Sequence, residues 1–91
     1  MNKLLVTYDL NREQVRPKIL EEIKRNAWAK LSESSYAIET YETPKQVYDR
    51  LSPYLDGNDN CYIITLAAPY YGQGPKLVNE WLDKRLNYQR A

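Results

Sequence analysis

Two short apolar runs, Leu4–Tyr8 and Cys61–Leu66, most constrain the fold of this chain. Both contain β-branched and aromatic residues, which favour strands, and both carry apolar side chains at odd and even positions. A strand with two apolar faces is typical of the interior of a sheet that is covered on both sides. The pattern therefore predicts two central strands, one early and one late in the chain.

The segment that follows the first run predicts an amphipathic helix over residues 18–26. Pro17 suits the first turn of a helix, because the missing amide would have no partner there. Ile19, Ile23 and Ala27 recur at four-residue spacing and form one apolar stripe. This stripe is predicted to face the sheet.

A capping box predicts the start of a second helix. Thr43 is followed by Pro44 and, three residues after the Thr, by Gln46, whose side chain can reach back to the Thr amide. Pro53 is expected to end or kink this helix. The predicted inner face of the helix consists of Val47, Leu51, Tyr54 and Leu55.

The remaining segments complete an α+β pattern. Residues 28–31 and 35–41 read as a hairpin, and helical spacing predicts a third helix from Pro75 to Arg90. The order strand, helix, hairpin, helix, strand predicts a ferredoxin-like βαββαβ fold, with a four-stranded antiparallel sheet and an extra carboxyl-terminal helix. We expect one domain over residues 1–91, with the last helix covering the open face of the sheet or a neighbouring subunit.

Composition excludes several kinds of catalytic site. The 91 residues contain no histidine and one cysteine, Cys61, so one chain offers no Ser-His or Cys-His pair, no histidine base and no Cys/His zinc site. Thirteen basic residues oppose twelve acidic ones, for a net charge of +1. Because long-range attraction to nucleic acid is absent, any nucleic-acid surface must be local.

Size and hydropathy bear on partners and location. A core of this size is small, so pairing with a second copy would help to stabilise it. The sequence has neither a twenty-residue apolar stretch nor the pattern of a signal peptide. We therefore expect a cytoplasmic protein that forms a homodimer and has no membrane partner.

Asp9 is the candidate catalytic and metal-ligating residue. It closes the first apolar run, so the strand would deliver its carboxylate to the rim of the sheet, where Mg²⁺ and a nucleic-acid backbone can reach it. The alternative is that Asp9 hydrogen-bonds the backbone of the turn that follows, which is the commoner role of an aspartate after a strand.

Four polar residues after Asp9 are candidates for nucleic-acid binding: Asn11, Arg12, Arg16 and Lys18. The basic side chains can contact phosphates, and Asn11 can orient a phosphate or a water. The alternative is that they are solvated residues of a turn and a helix start.

Tyr70, Tyr71 and Trp81 are candidates for an interface. The two tyrosines precede the flexible segment 72–74 and can stack on exposed bases or pack against a second subunit. We favour the interface. Trp81 on the predicted third helix offers a large apolar contact.

The chain resembles the small ferredoxin-like family around CRISPR-associated protein two, which also includes virulence-associated protein D and stand-alone homologues. The resemblance covers residues 3–66 in element order, and its strongest local match is the pair Tyr8-Asp9 at the end of the first strand. It implies a homodimer whose two Asp9 carboxylates face each other. In members described as nucleases, whether endoribonucleases or endodeoxyribonucleases, these carboxylates share a divalent metal, and in other members the dimer only binds nucleic acid or serves as an adaptor for partner proteins. Family dimers commonly use a late carboxyl-terminal strand, whereas this sequence predicts a helix there.

Two functional hypotheses follow. The first is a nucleic-acid-binding homodimer with a magnesium-dependent nuclease site at Asp9. The second is a non-catalytic dimeric adaptor, or a regulator of the toxin–antitoxin kind, that binds a protein partner through the third helix and the tyrosine segment. Near-neutral charge and the incomplete catalytic inventory motivate the second hypothesis.

Overall fold

The computed structural model describes residues 1–86, which form an α+β structure of one four-stranded antiparallel sheet and three α-helices. The strands are β1 (Asn2–Asp9), β2 (Ala27–Ser32), β3 (Ser35–Thr40) and β4 (Asn60–Thr65). The helices are α1 (Arg16–Ile23), α2 (Pro44–Leu51) and α3 (Lys76–Leu86), and single 3₁₀ turns lie at Glu13–Val15 and Ser52–Tyr54. The predicted α+β class and antiparallel sheet are confirmed.

The strands are arranged in the order β2-β3-β1-β4, and every neighbouring pair is antiparallel. The prediction that the first run is a central strand is confirmed. The same prediction for the second run is wrong, because β4 lies at an edge of the described sheet. Its apolar residues on one face stay uncovered within residues 1–86: Tyr62 is 64% exposed and Ile64 is 51% exposed.

Helices α1 and α2 both pack on one face of the sheet and form the core with it. Leu4 and Val6 of β1 are fully buried against Ile19 of α1, and α2 contributes Val47 and Leu51. These positions alternate along β1, as expected when one face of a strand points into the core. The core therefore fixes the direction in which each β1 side chain points.

Local signals set the helix boundaries. Thr43 accepts a hydrogen bond from the Gln46 amide at 3.1 Å, and the Gln46 side chain accepts one from the Thr43 amide at 2.9 Å, so the predicted capping box is confirmed. The prediction that Ala27 belongs to the first helix is wrong. Helix α1 ends at Ile23, and Ala27 opens β2 opposite Glu39, because pairing with β3 offers backbone hydrogen bonds that a further helical turn would forfeit.

Helix α3 lies on the other face of the sheet, over β2 and β3. The register places Leu5, Ala37 and Ala29 on that face, opposite to Leu4. The helix is anchored there by an ion pair of 3.6 Å between Arg85 and Glu39. Of the two predicted roles for the last helix, α3 thus covers part of its own sheet; positions 87–90 of that predicted helix lie outside the described residues.

None of the helices found between residues 1 and 86 has the length and apolar character needed to cross a membrane.

Candidate nucleic-acid and metal site

Asp9 is the last residue of β1 and lies opposite Asn60 in the sheet. Its side chain is exposed, and no residue between 1 and 86 forms a hydrogen bond or an ion pair with its carboxylate. The alternative role, in which Asp9 binds the backbone of the following turn, is therefore not observed in the described structure.

The two neighbours of Asp9 explain its exposure. Tyr8 and Leu10 are 4% and 8% exposed, respectively, and both belong to the core cluster. Because successive side chains of a strand point to opposite faces, anchoring Tyr8 in the core directs Asp9 away from it. The backbone on both sides of the acid is thus held by buried side chains, and the carboxylate stays at the rim of the sheet.

The turn after Asp9 is held by the loop before β4. The backbone amide of Asn11 donates to Oδ1 of Asp59 at 2.5 Å, and the backbone amide of Asp56 donates to Oδ2 of Asp59 at 2.9 Å. These two hydrogen bonds, with the nearby charge of Arg12, hold the pKa of Asp59 below its usual value. Asp59, not Asp9, is therefore the carboxylate that ties this turn together.

Arg12 is half exposed and paired within the chain. Its Nε lies 3.0 Å from Oδ2 of Asp56. Because half of the Arg12 side chain is exposed, a phosphate can approach its guanidinium from the solvent.

Arg16 is engaged with three groups of its own subunit. Its Nε lies 2.7 Å from the carboxylate of Glu13, its Nη1 donates to the Glu33 carbonyl at 2.9 Å, and its guanidinium lies 5.5 Å from the centre of the Tyr8 ring. Hydrogen bonding to Glu13 raises the pKa of Arg16 and lowers the pKa of Glu13. Arg16 therefore links α1 to the β2–β3 turn, and it is the least available of the predicted phosphate ligands.

Lys18 is exposed on α1 and has no ion-pair partner among residues 1–86. Of the four predicted nucleic-acid-binding residues, Asn11 and Arg12 lie next to the end of β1. Arg16 has a structural role, and Lys18 is a cation on the surface of α1.

The predicted interface residues lie around α3. Tyr71 is 99% exposed, whereas the hydroxyl of Tyr70 donates to the carboxylate of Asp83 on α3. Trp81 is partly buried, and the Arg85 guanidinium lies 4.1 Å from its ring centre. A largely apolar cavity of about 370 Å³ opens between α3, the end of β2 and the segment 66–75.

Sequence reasoning missed the role of Asp56 and Asp59. Residues 56–60 have the composition of a turn, which indicates a loop but not which part of the chain that loop contacts. The antiparallel pairing of β1 with β4 is the signal that would have indicated the role of these two aspartates, because it brings the end of the first strand next to the start of the last strand. That pairing joins residues about fifty positions apart.

Within residues 1–86 no group of three or more Asp, Glu, Cys or His side chains is arranged to hold a metal ion. A divalent ion at Asp9 would therefore need further oxygen ligands from phosphates, water or a second copy of the chain.

Comparison of the sequence with models of known protein families found no match. A search of curated proteins also found no significant match.

Proposed function

We propose that this chain is a cytoplasmic, ferredoxin-like protein of the superfamily around CRISPR-associated protein two, and that it binds nucleic acid as a homodimer. The strand order β2-β3-β1-β4, with α1 and α2 on the same face, supports the ferredoxin-like assignment, because a split βαβ arrangement produces this order. The position of Asp9 at the end of a central strand supports the resemblance.

The observation that carries the proposal is the free, exposed carboxylate of Asp9. An acidic side chain at the rim of the sheet, fixed by buried neighbours and without a partner among residues 1–86, is available to Mg²⁺. Mg²⁺ in nucleic-acid enzymes is commonly held by one or two carboxylates together with phosphate oxygens and water. One Asp9 per ion, completed by the phosphate of the bound strand, satisfies this requirement.

A bound Mg²⁺ would supply charge stabilisation at the phosphate and lower the pKa of a coordinated water. Such a water would take the place of a nucleophile activated by a histidine base, since the chain has no histidine. The role of the protein is then positioning: Asp59 holds the turn next to Asp9 through the Asn11 amide, while Arg12 and Lys18 provide positive charge for neighbouring phosphates.

A cleavage assay on single- and double-stranded RNA and DNA tests this function. We expect Mg²⁺-dependent cleavage by the wild type that disappears on chelation and in Asp9→Asn. The matched control is Asp49→Asn, which removes an exposed carboxylate from α2 and should leave cleavage unchanged. Equal activity in wild type and Asp9→Asn would exclude this site.

A second candidate function, that of a non-catalytic adaptor, is supported by the exposed apolar side chains around α3. Tyr71 is 99% exposed and lines the apolar cavity beside α3, and Leu77 of the same helix is 78% exposed. Contiguous exposed apolar surface of this kind is typical of interaction sites. If the adaptor function is correct, Trp81→Ala should weaken binding of the protein partner, whereas Asp9→Asn should not. A variant Trp81→Ala that binds its partner normally would exclude this candidate.

A further inference from the structure

The outer edge of β4 presents backbone groups that have no partner within residues 1–86. The Leu66 amide donates to the Lys3 carbonyl at 2.7 Å. From there, hydrogen-bonded pairs between β4 and β1 recur at every second residue of β4. Because paired and unpaired positions alternate along an antiparallel strand, the amides and carbonyls of Cys61, Ile63 and Thr65 point away from β1. These amides and carbonyls are available to hydrogen-bond another strand at this edge of the sheet.

This edge lacks the features that normally prevent strand pairing. Residues 60–65 contain no charged residue and no proline, and the pairing of β4 with β1 is regular. The opposite edge of the sheet differs: β2 carries Lys30, has a register shift between Lys30 and Ser32, and is flanked by α3. The contrast shows that only one of the two described edges is suited to accept another strand.

We propose that the β4 edge binds the β4 edge of a second copy of this chain, in antiparallel orientation, to form a continuous eight-stranded sheet. This inference rests on the homodimer of the proposed function and specifies its interface. The register follows from the positions of the free groups. A twofold axis at Ile63 pairs Ile63 with Ile63 of the partner subunit and pairs Cys61 with Thr65 of the partner subunit. Every residue of β4 whose backbone groups point away from β1 then has a hydrogen-bonding partner in the second copy. Moving the axis to Tyr62 or Ile64 leaves one of these residues without a partner from the strand.

The same register covers exposed apolar side chains. It places Tyr62 directly opposite Ile64 of the partner subunit, on the face of the sheet that α3 leaves open. These side chains are 64% and 51% exposed in the single chain, and an aromatic residue opposite a β-branched one is a favourable cross-strand pair. An uncharged, apolar strand is complementary to a second copy of itself, which makes a second copy the occupant.

The arrangement has a consequence for Asp9. Three strand spacings and a six-residue offset along the strands separate Asp9 from Asp9 of the partner subunit, a distance of about 25 Å. Each protomer then holds its own ion with phosphate oxygens, so this dimer differs from the one that the family resemblance implies, in which the two Asp9 carboxylates share an ion.

Charge substitutions at Tyr62 and Ile64 test the interface and its register by light scattering at micromolar concentration. We expect the wild type to have twice the 10.8 kDa mass of one chain. The double variant Tyr62→Lys/Ile64→Lys places like charges opposite each other and should be a monomer. The variant Tyr62→Lys/Ile64→Glu places opposite charges there and should restore the dimer. As a control, Tyr41→Lys/Leu77→Lys changes two exposed residues outside this edge and should remain a dimer.

A monomeric wild type, a dimeric Lys/Lys variant or a monomeric Lys/Glu variant would overturn the proposal. Circular dichroism verifies that each variant is folded, as expected for substitutions at exposed positions. The oligomeric state is measured without nucleic acid and metal, and Asp9→Asn should stay a dimer. A failure of the interface and a failure of the nuclease proposal are therefore distinguishable.

A disulfide provides a second measurement that does not depend on charge. In the proposed register the Cα atoms of Cys61 and of residue 65 in the partner subunit lie about 5.5 Å apart, within the range of a disulfide. Thr65→Cys should form a covalent dimer on oxidation, whereas Thr65→Cys/Cys61→Ser should not. A covalent dimer in both variants, or in neither, would contradict the register.

Discussion

The Asn11 backbone amide donates a hydrogen bond of 2.5 Å to the carboxylate of Asp59, forty-eight residues further along the chain. This contact joins the turn after β1 to the loop before β4. It holds the residues next to Asp9 in place, while the Asp9 carboxylate has no partner in the described part of the chain. The candidate site is thus positioned by a carboxylate that does not itself belong to it.

Asp59 should make the stability of the protein depend on pH in the acidic range. Its hydrogen bonds lower its pKa in the folded state, so its stabilising contribution is present above its usual pKa and is lost as the pH falls through the lowered value. Asp59→Asn should therefore reduce the free energy of unfolding more at pH 7 than at pH 2.5. Urea denaturation at a series of pH values measures this difference, and an equal loss at both values would contradict it.

Arg50 should contribute to stability by joining the two core helices. Its Nη1 donates to Glu22 of α1 at 2.7 Å, and its Nε donates to Glu42 at 2.9 Å. Because the Arg50 side chain is only partly exposed, Arg50→Met should lower the free energy of unfolding by about 1.5 kcal/mol. Lys45→Met, which breaks the exposed pair with Asp49, should change it by less than about 0.5 kcal/mol. Both variants are measured by urea denaturation. An equal decrease in the free energy of unfolding for Arg50→Met and Lys45→Met would show that the contacts of Arg50 stabilise the protein no more than an exposed ion pair does.

Thr43 should stabilise the start of α2. Thr43→Ala removes the side-chain acceptor for the Gln46 amide and should cost about 1 kcal/mol in the free energy of unfolding. Gln46→Ala removes only the reciprocal bond to the Thr43 amide and should cost less. The two variants are compared by thermal denaturation; a larger effect of Gln46→Ala would contradict this order.

Lys18 should contribute to nucleic-acid affinity if the proposed function is correct. It is exposed and carries no ion pair within residues 1–86, so a phosphate contact would release a counterion without first breaking a salt bridge. Lys18→Ala should weaken binding and reduce the slope of log K against log salt by about 1. Fluorescence anisotropy at several salt concentrations measures both. Lys45→Ala on α2 is the control, and an equal effect of the two substitutions would argue against a local contact at Lys18.

Local patterns predicted much of the fold. The capping box at Thr43, the hairpin formed around residues 32–34 and the first apolar strand are indicated by neighbours in sequence, and each is present in the structure. The position of β4 could not be predicted in the same way. Its apolar residues on both faces are typical of a central strand, but its position at an edge depends on how the whole chain orders its strands.

The candidate site was predicted less completely than the fold. The exposure of Asp9 at the end of a strand follows from its sequence position, and the structure places it there. The partners of Arg16 could not be predicted, because one of them is the Glu33 carbonyl, whose position depends on the folding of the hairpin. A basic residue near an acid in sequence carries no information about which distant acceptor it will meet.

The most direct test of the proposed site is the binding of Mn²⁺, a substitute for Mg²⁺ with the same preference for oxygen ligands, to the protein with a bound oligonucleotide. Electron paramagnetic resonance measures the free ion during a titration. We predict that Asp9→Asn weakens Mn²⁺ binding by at least about tenfold, while Asp49→Asn leaves it unchanged. Equal affinity in the wild type and Asp9→Asn would contradict the central claim that Asp9 holds the ion.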